Sequence, residues 1–357
     1  YTVALPDGRR VSFDEEALQV RVERAVRLWN DDFADALSAT MTPERADAIF
    51  GRYSGAFSEG YREMFGPAEA MLDIAKLEEV MQKGDGALTL RSSSGASQTD
   101  GVLQFKIYHA GGVIELSDLL PVLEDFGLRA IEEINYPVRL GDTQLTIHDL
   151  KLHGDLNPER EAAMRLFEQA FLTIWKGAAE SDCFNRLVLQ AELPWRDVAV
   201  LRAVAKYLRQ AAFAASQELM EEALARNPRI AAALARLFRT RFDPKTTDRA
   251  AAETKINMEI DEALAKVPSL DDDRIIRRFR NVIQAMVRTN YFQAGPVDGY
   301  KPAKAFKLDS SKIEDLPLPR PMFEIFVYSP EVEGVHLRFG KVARGGIRWS
   351  DRREDFR

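Results

Sequence analysis

The apolar residues of this chain repeat with two different periods, and the switches between them limit the fold more than any single motif. Up to about residue 85 the spacing is helical. Leu18, Val22, Val26, Trp29, Phe33 and Leu37 recur along Phe13–Met41 at the steps that line one face of a helix. Thr42-Pro43-Glu44 restarts a helix, with Thr42 expected as N-cap and Pro43 at the first helical position. Breaks at Gly66-Pro67 and at Gly84 bound further helical runs. From Ala87 the period drops to two. Ala87–Ser92 and Gly101–His109 predict strands joined by the polar loop Ser93–Asp100. Leu116–Phe126 predicts a short helix with Ser117 as cap, Leu119, Leu123 and Phe126 on one face, and Gly127 as stop. Leu128–Val138 and Gln144–Leu152 predict two more strands around a Gly141-Asp142 turn, and a helix opening at Asn157-Pro158 runs to about Trp175. Strand, strand, helix, strand, strand, helix is the order of a small α/β sandwich.

Residues 176–293 read as helical throughout. Asn227-Pro228 starts one helix, with Ile230, Leu234, Leu237 and Phe238 on a face. Ser269-Leu270-Asp271-Asp272 starts another, whose buried stripe is Ile275, Phe279, Val282, Ile283 and Met286. Ala294–Tyr300 is a Gly/Pro break, after which Phe306–Leu308 and Met322–Ser329 read as strands. Leu316–Pro321 lies between them as an extended connector, and Gly334–Gly340 is the expected hairpin partner of the last strand. The fold class expected is α+β. Four segments follow: a helical one over 1–85, the α/β sandwich over 86–175, a helical linker over 176–295, and a strand-rich segment over 296–357. A chain of 357 residues has room for several cores.

A net charge of −7 argues against a nucleic-acid binder. No apolar run approaches the roughly 18 residues of a membrane span. The single Cys183 excludes an internal disulfide and a cysteine-cluster metal site, and fits a reducing cytoplasm. His148 and His153 should face opposite sides of one strand, which makes a shared metal unattractive, so no metal site is expected. Arg226, Arg229, Arg236, Arg239 and Arg241 scatter around a helix and read as a solvated or subunit-facing surface. Tyr1 in place of Met, and a run Ser350–Arg357 that reads as a helix cut short, are expected of an internal segment.

Two glycine pairs remain. His109-Ala110-Gly111-Gly112 falls at a strand-to-helix turn, where the glycines either let a ligand approach the backbone or simply turn the chain. Arg344-Gly345-Gly346-Ile347-Arg348-Trp349 places two arginines beside a glycine turn. Their planar forks suit bidentate recognition of a carboxylate, though a tight turn with surface arginines has the same composition.

The order of elements in 86–175 resembles that of an ACT domain, the amino-acid-sensing module of many metabolic enzymes, and Gly111-Gly112 would then lie at its effector turn. The stretch Leu337–Arg357 around that arginine motif resembles the entry to the catalytic domain of the large NAD-specific glutamate dehydrogenases. Ala305–Ser310, Leu316–Tyr328, Asp272-Asp273-Arg274, Asn290-Tyr291-Phe292 and Leu193-Pro194-Trp195-Arg196 match the same family. The resemblance covers at least residues 170–357. It implies N-terminal ACT-like and helical regulatory or oligomerisation segments, followed by the first strands of a dehydrogenase substrate domain. The implied reaction is oxidative deamination of L-glutamate to 2-oxoglutarate and ammonia, with hydride passing to NAD. It further implies an amino-acid effector and a homo-oligomer, tetramer or hexamer. In smaller glutamate dehydrogenases a lysine before the paired glycines holds the substrate's side-chain carboxylate; here Arg344 takes its place. Arg344, Gly345, Gly346 and Arg348 are therefore the implied substrate-binding residues. No catalytic residue and no G-x-G-x-x-G dinucleotide fingerprint occur in the chain, so NAD is expected to be bound downstream of it. A stand-alone amino-acid-sensing ACT module without catalysis is the alternative.

Overall fold

The computed structural model describes residues 28–84, 86–93, 102–154, 161–297 and 299–340. Four helices come first: α1 (Trp29–Thr40), α2 (Pro43–Tyr53), α3 (Glu59–Met64) and α4 (Pro67–Lys83). Strands β1 (Leu88–Ser93) and β2 (Val102–Ala110), helix α5 (Leu116–Asp125), strands β3 (Arg129–Leu140) and β4 (Thr143–His153), and helix α6 (Glu161–Trp175) follow in the order read from the periodicity. The strands form one sheet in the order β1-β2-β4-β3. A helical stretch contains α7 (Arg186–Gln190), α8 (Trp195–Gln210), α9 (Gln217–Arg226), α10 (Pro228–Phe242), α11 (Arg249–Leu264) and α12 (Leu270–Ala285). The last elements are β5 (Met286–Thr289), β6 (Ala294–Val297), β7 (Lys304–Asp309), β8 (Phe323–Tyr328) and β9 (Glu333–Arg338). Of these, four make a second sheet in the order β5-β7-β8-β9, with antiparallel neighbours. The chain is thus α+β. No helix among the described residues is long and apolar enough to cross a membrane.

By contact the chain divides into two units. The first takes residues up to Leu90 together with 107–113 and 134–149; the second takes 91–106, 114–133 and everything from Leu150 onward. In the first unit, Phe33, Leu37, Tyr53, Tyr61, Ile74, Leu77 and Val80 from the helices close on Tyr108, Tyr136, Val138, Leu145 and Ile147 from the strands. Aromatic contacts knit this core: Phe57 stacks on Tyr61 at 4.4 Å between ring centroids, and Tyr136 meets Tyr61 edge-on at 5.5 Å. One charge lies at its centre. Asp73 is fully buried and accepts hydrogen bonds from the hydroxyls of Tyr61 and Tyr108, each at 2.6 Å.

In the second unit, Phe105 of β2 packs on Phe167 of α6 at 5.2 Å and Phe126 meets the same ring edge-on at 4.9 Å. Helix α8 is buried on nearly all sides, from Asp197 to Leu208, and so acts as the central helix of this unit. Ile275, Phe279, Val282 and Ile283 form the buried stripe of α12 as the spacing predicts.

Several local expectations are corrected. Residues 176–293 are not helical throughout, because α12 stops at Ala285 and Met286 enters strand β5, opposite Leu308 of β7. Met286 is buried as expected, but in a strand; Arg241 donates to the carbonyls of Gln284 and Met286, which frees the chain from the helical ladder there. The Ala294–Tyr300 break is itself a narrow hairpin, with Ala294 bridged to Tyr300 and the carbonyl of Gly299 taking the amide of Gly295. Helix α5 is entered through Glu115 rather than Ser117, whose hydroxyl donates to the Glu115 carboxylate instead. Thr42 and Asn227 stand at N-caps without side-chain cap bonds, the Asn227 side-chain amide donating instead to the Ala223 carbonyl and to Asp272; Ser269 does cap, accepting the amide of Asp272. The parts of the expected helices before residue 28 and at 157–160, and the terminal run 350–357, lie outside the described residues.

Candidate functional site

The Gly111-Gly112 turn belongs to the first unit. Gly111 sits at φ +151°, and a Cβ there would lie 2.9 Å from His109 Cε1, so glycine is required. The carbonyl of Gly111 accepts from Thr146 Oγ1 at 3.0 Å, and that of Gly112 lies 2.8 Å from His109 Nδ1, which must carry the proton. Side chains of the same unit therefore hold both carbonyls. Nothing lies within 4 Å of a Cβ built on Gly112, so its outer side is open.

Arg344, Gly345, Gly346 and Arg348 lie outside the described residues. The described strands lead up to them. Strand β8 pairs with β9 from Tyr328↔Glu333 to Phe323↔Arg338, and the amide of Met322 closes on the carbonyl of Arg338 at 2.7 Å.

Beneath this sheet lies a charged cluster that the periodicity did not single out. In β7 and β8 alternate residues are buried: Lys304, Phe306 and Leu308 from one strand, Glu324, Phe326 and Tyr328 from the other. The register sets Lys304 opposite Tyr328, Phe306 opposite Phe326 and Leu308 opposite Glu324. Helix α8 covers this face. Tyr207 meets Phe326 edge-on at 5.7 Å and donates to Glu324 at 2.5 Å. One turn earlier in the helix, Arg202 is 1% exposed and grips Asp182 with two hydrogen bonds, at 2.6 and 2.7 Å, while also donating to Asn185 at 2.8 Å. Burial works against its charge, but Asp182 outweighs burial and holds the guanidinium pKa above its ordinary value. Lys206 is shared between Glu180 at 2.9 Å and Glu333 at 3.6 Å.

At the start of α8, Arg196 lies 3.4 Å from the ring centroid of Tyr300 and 4.1 Å from that of Tyr291, and donates to the Tyr291 carbonyl at 2.6 Å. Asp197 takes the Tyr291 hydroxyl at 2.6 Å and Arg239 at 3.2 Å. Lys304 ends among these groups, its ammonium 5.3 Å from the Trp195 ring and 5.9 Å from the Tyr328 ring. The residue is 5% exposed. Burial pushes its pKa down to about 8, and the nearby Arg196 and Arg202 push the same way.

Lys304 releases its proton more readily folded than unfolded, so its contribution favours folding increasingly as pH rises from about 8 toward the ordinary lysine value of 10.5. Lys304→Met should abolish that rise. It should also stabilise the protein at pH 7 by about 1–3 kcal/mol, since an apolar side chain of similar length replaces a buried cation. Urea melts at pH 7 and pH 9.5 check both effects; a variant that is less stable than the parent at pH 7 would reverse this account.

The signal for Lys304 was present in the sequence, because it keeps step with Phe306 and Leu308 and so had to share their buried face. Of the arginines read as a solvated face, Arg226, Arg229, Arg236 and Arg239 are exposed, and most of the five also make ion pairs within the chain. Arg226 holds Asp272, Arg236 holds Glu259, Arg239 holds Asp197 and Arg241 holds Glu253.

Four family models match consecutive parts of the chain. Residues 36–80 match glutamate dehydrogenase helical motif 2, and residues 87–164 match its ACT3 domain. Residues 179–244 match helical motif 3, and residues 259–357 match the catalytic domain of bacterial NAD-glutamate dehydrogenase. The chain is 40% identical over 97% of its length to an NAD-specific glutamate dehydrogenase of Halomonas elongata, and 39% identical over 98% to one of Pseudomonas aeruginosa. A third, from Mycobacterium tuberculosis, is 41% identical over 96% of the chain. In each case the chain spans only 22% of the relative's length.

Proposed function

Since the chain belongs to the bacterial NAD-specific glutamate dehydrogenase family, we propose that it serves the oxidative deamination of L-glutamate to 2-oxoglutarate and ammonia. The observation that carries this reading is the succession of four matched segments in one chain. It ends in the catalytic-domain match at 259–357, which contains Arg344, Gly345, Gly346 and Arg348. Relatives that carry the dehydrogenase name along nearly the whole chain favour this over a stand-alone sensing module. The domain reading goes with it: a helical segment over 1–85, an ACT-like domain over 86–175, a helical linker over 176–295, and the start of the substrate domain from 296. The protein would be cytoplasmic and homo-oligomeric, with an amino-acid effector approaching the open side of Gly112.

The described residues do not suit NAD. The second sheet pairs antiparallel and lacks the strand, glycine-rich turn and helix that receive a pyrophosphate. The cofactor's role is to accept hydride, and no step through it is assigned to these residues. This chain's own share is to hold substrate. The paired glycines would let the backbone approach the ligand, while Arg344 takes its side-chain carboxylate through two parallel hydrogen bonds.

Arg344→Ala should then weaken glutamate affinity by about 10- to 150-fold, the effect of losing a charged hydrogen bond of about 1.5–3 kcal/mol. Steady-state kinetics of the glutamate- and NAD-dependent reaction, in the longer polypeptide on which the relatives are patterned, provide the test. An unchanged glutamate KM and kcat would remove Arg344 from the site.

A further inference from the structure

Most buried cations among the described residues explain themselves. Arg202 is held by Asp182, and Arg278 faces both Glu314 and Asp315. Lys304 does not. It is 5% exposed, and within the described residues no hydrogen bond or carboxylate meets its ammonium. The two charges that act on it, Arg196 and Arg202, are both positive. The carboxylates of this region are already engaged: Asp182 with Arg202, Glu180 and Glu333 with Lys206, and Asp197 with Arg239 and Tyr291. Glu324 is taken by the Tyr207 hydroxyl, and the only charges that act on Lys304 are positive, so its ammonium is left without a counterpart. A buried ammonium with no counter-charge is costly, and two aromatic rings offset only part of that cost.

The helix beside it points the same way. Lys304 lies against Trp195, the first residue of α8, whose N-cap is Pro194 and carries no side-chain cap bond. Arg196 and Asp197 follow in the first turn; the Asp197 carboxylate is taken by Arg239 and the Tyr291 hydroxyl, so the first amides of the helix still favour an anion. The Arg196 guanidinium gives one hydrogen bond, to the Tyr291 carbonyl, and keeps further donors in its fixed fork.

We propose that Lys304 and Arg196, at the N-terminus of α8, form a binding site for a small oxyanion, a carboxylate or a phosphate. The anion supplies the missing negative charge to an ammonium that otherwise has only the Trp195 and Tyr328 rings beside it. It meets the Lys304 ammonium, the Arg196 fork and the open end of α8. Oxyanion binding there would persist whether or not the Arg344 motif binds substrate. Binding keeps Lys304 protonated, so it draws in a proton wherever the free lysine is partly neutral.

Sodium acetate and sodium sulfate, neither of which titrates near neutrality, serve as probes of the two chemistries. Calorimetry at constant ionic strength, in two buffers of different ionisation enthalpy, should show saturable binding with uptake of roughly half a proton at pH 8 and none at pH 6. Lys304→Met should lose the proton uptake and at least 10-fold in affinity. Lys304→Arg should bind without uptake, because its guanidinium stays charged. A response to acetate assigns a carboxylate, one to sulfate a phosphate-like group, and responses to both assign the shared oxyanion chemistry. The absence of binding to either, binding without proton uptake at pH 8, or equal binding by the Met variant would overturn the site. If Lys304→Met does not fold, proton uptake by the unaltered protein decides alone.

Discussion

Replacing Arg202 with alanine is expected to destabilise the second unit by about 3–5 kcal/mol, the range for breaking a buried ion pair by removing one partner. The side chain is 1% exposed and spends its donors on Asp182 and Asn185. Truncation would leave Asp182 among neighbours of its own sign, because Asp125 and Glu221 are both close enough to feel its charge. Burial, with Asp182 adding to it, raises the pKa of both carboxyls. The loss should fall when Asp182 is also replaced, since Arg202→Leu with Asp182→Leu removes the stranded charge with its partner. Urea unfolding of the single and double variants measures the coupling. A single variant within 1 kcal/mol of the parent would mean that solvent or a neighbour rescues Asp182, contrary to the burial seen here.

The first unit should respond as strongly at Asp73. Asp73→Ala takes the shared acceptor from the Tyr61 and Tyr108 hydroxyls, each 2.6 Å away in a core with no exposure at any of the three residues. Two hydrogen bonds to a charged group are worth about 1.5–3 kcal/mol each, so a loss of about 3–6 kcal/mol is expected. Tyr61→Phe and Tyr108→Phe added to Asp73→Leu should recover part of it, because the two hydroxyls that relied on the carboxylate are removed with it. Hydrogen exchange read at α4, at 107–110 of β2 and at 143–149 of β4 is the measurement, since these amides belong to the first unit. If exchange there is unchanged in Asp73→Ala, the carboxylate does not hold these elements together.

Much of this fold could be read directly along the chain. Leu119, Leu123 and Phe126 had to share a helical face, and Phe306 and Leu308 a strand face, because side-chain direction follows from backbone period alone. The helix stops were equally legible: Gly84 and Gly127 adopt φ of +93° and +79°, which favour glycine. Caps were less legible. Ser117 and Ser269 look alike in sequence, yet only Ser269 accepts an amide, because Ser117 lies inside the helix that Glu115 opens. Met286 shows the limit more sharply. Its apolar period continues α12, and only pairing with Leu308, together with Arg241 taking the carbonyls at the helix end, turns the chain into a strand.

The sequence by itself determined the α+β character, the order of elements and the family, because periods, breakers and the Arg344 motif are local properties that survive without knowing what packs on what. Only the tertiary structure decided the partners of the charges. The fork of Arg202 finds Asp182, Tyr207 finds Glu324 across more than a hundred residues, and Lys304 is buried beside two arginines. The charge of Lys304 is visible in its letter. Its lack of a counter-charge depends on which strands and helices converge there, because electrostatic energy depends on separation in space and on exclusion of water, neither of which is written along the chain.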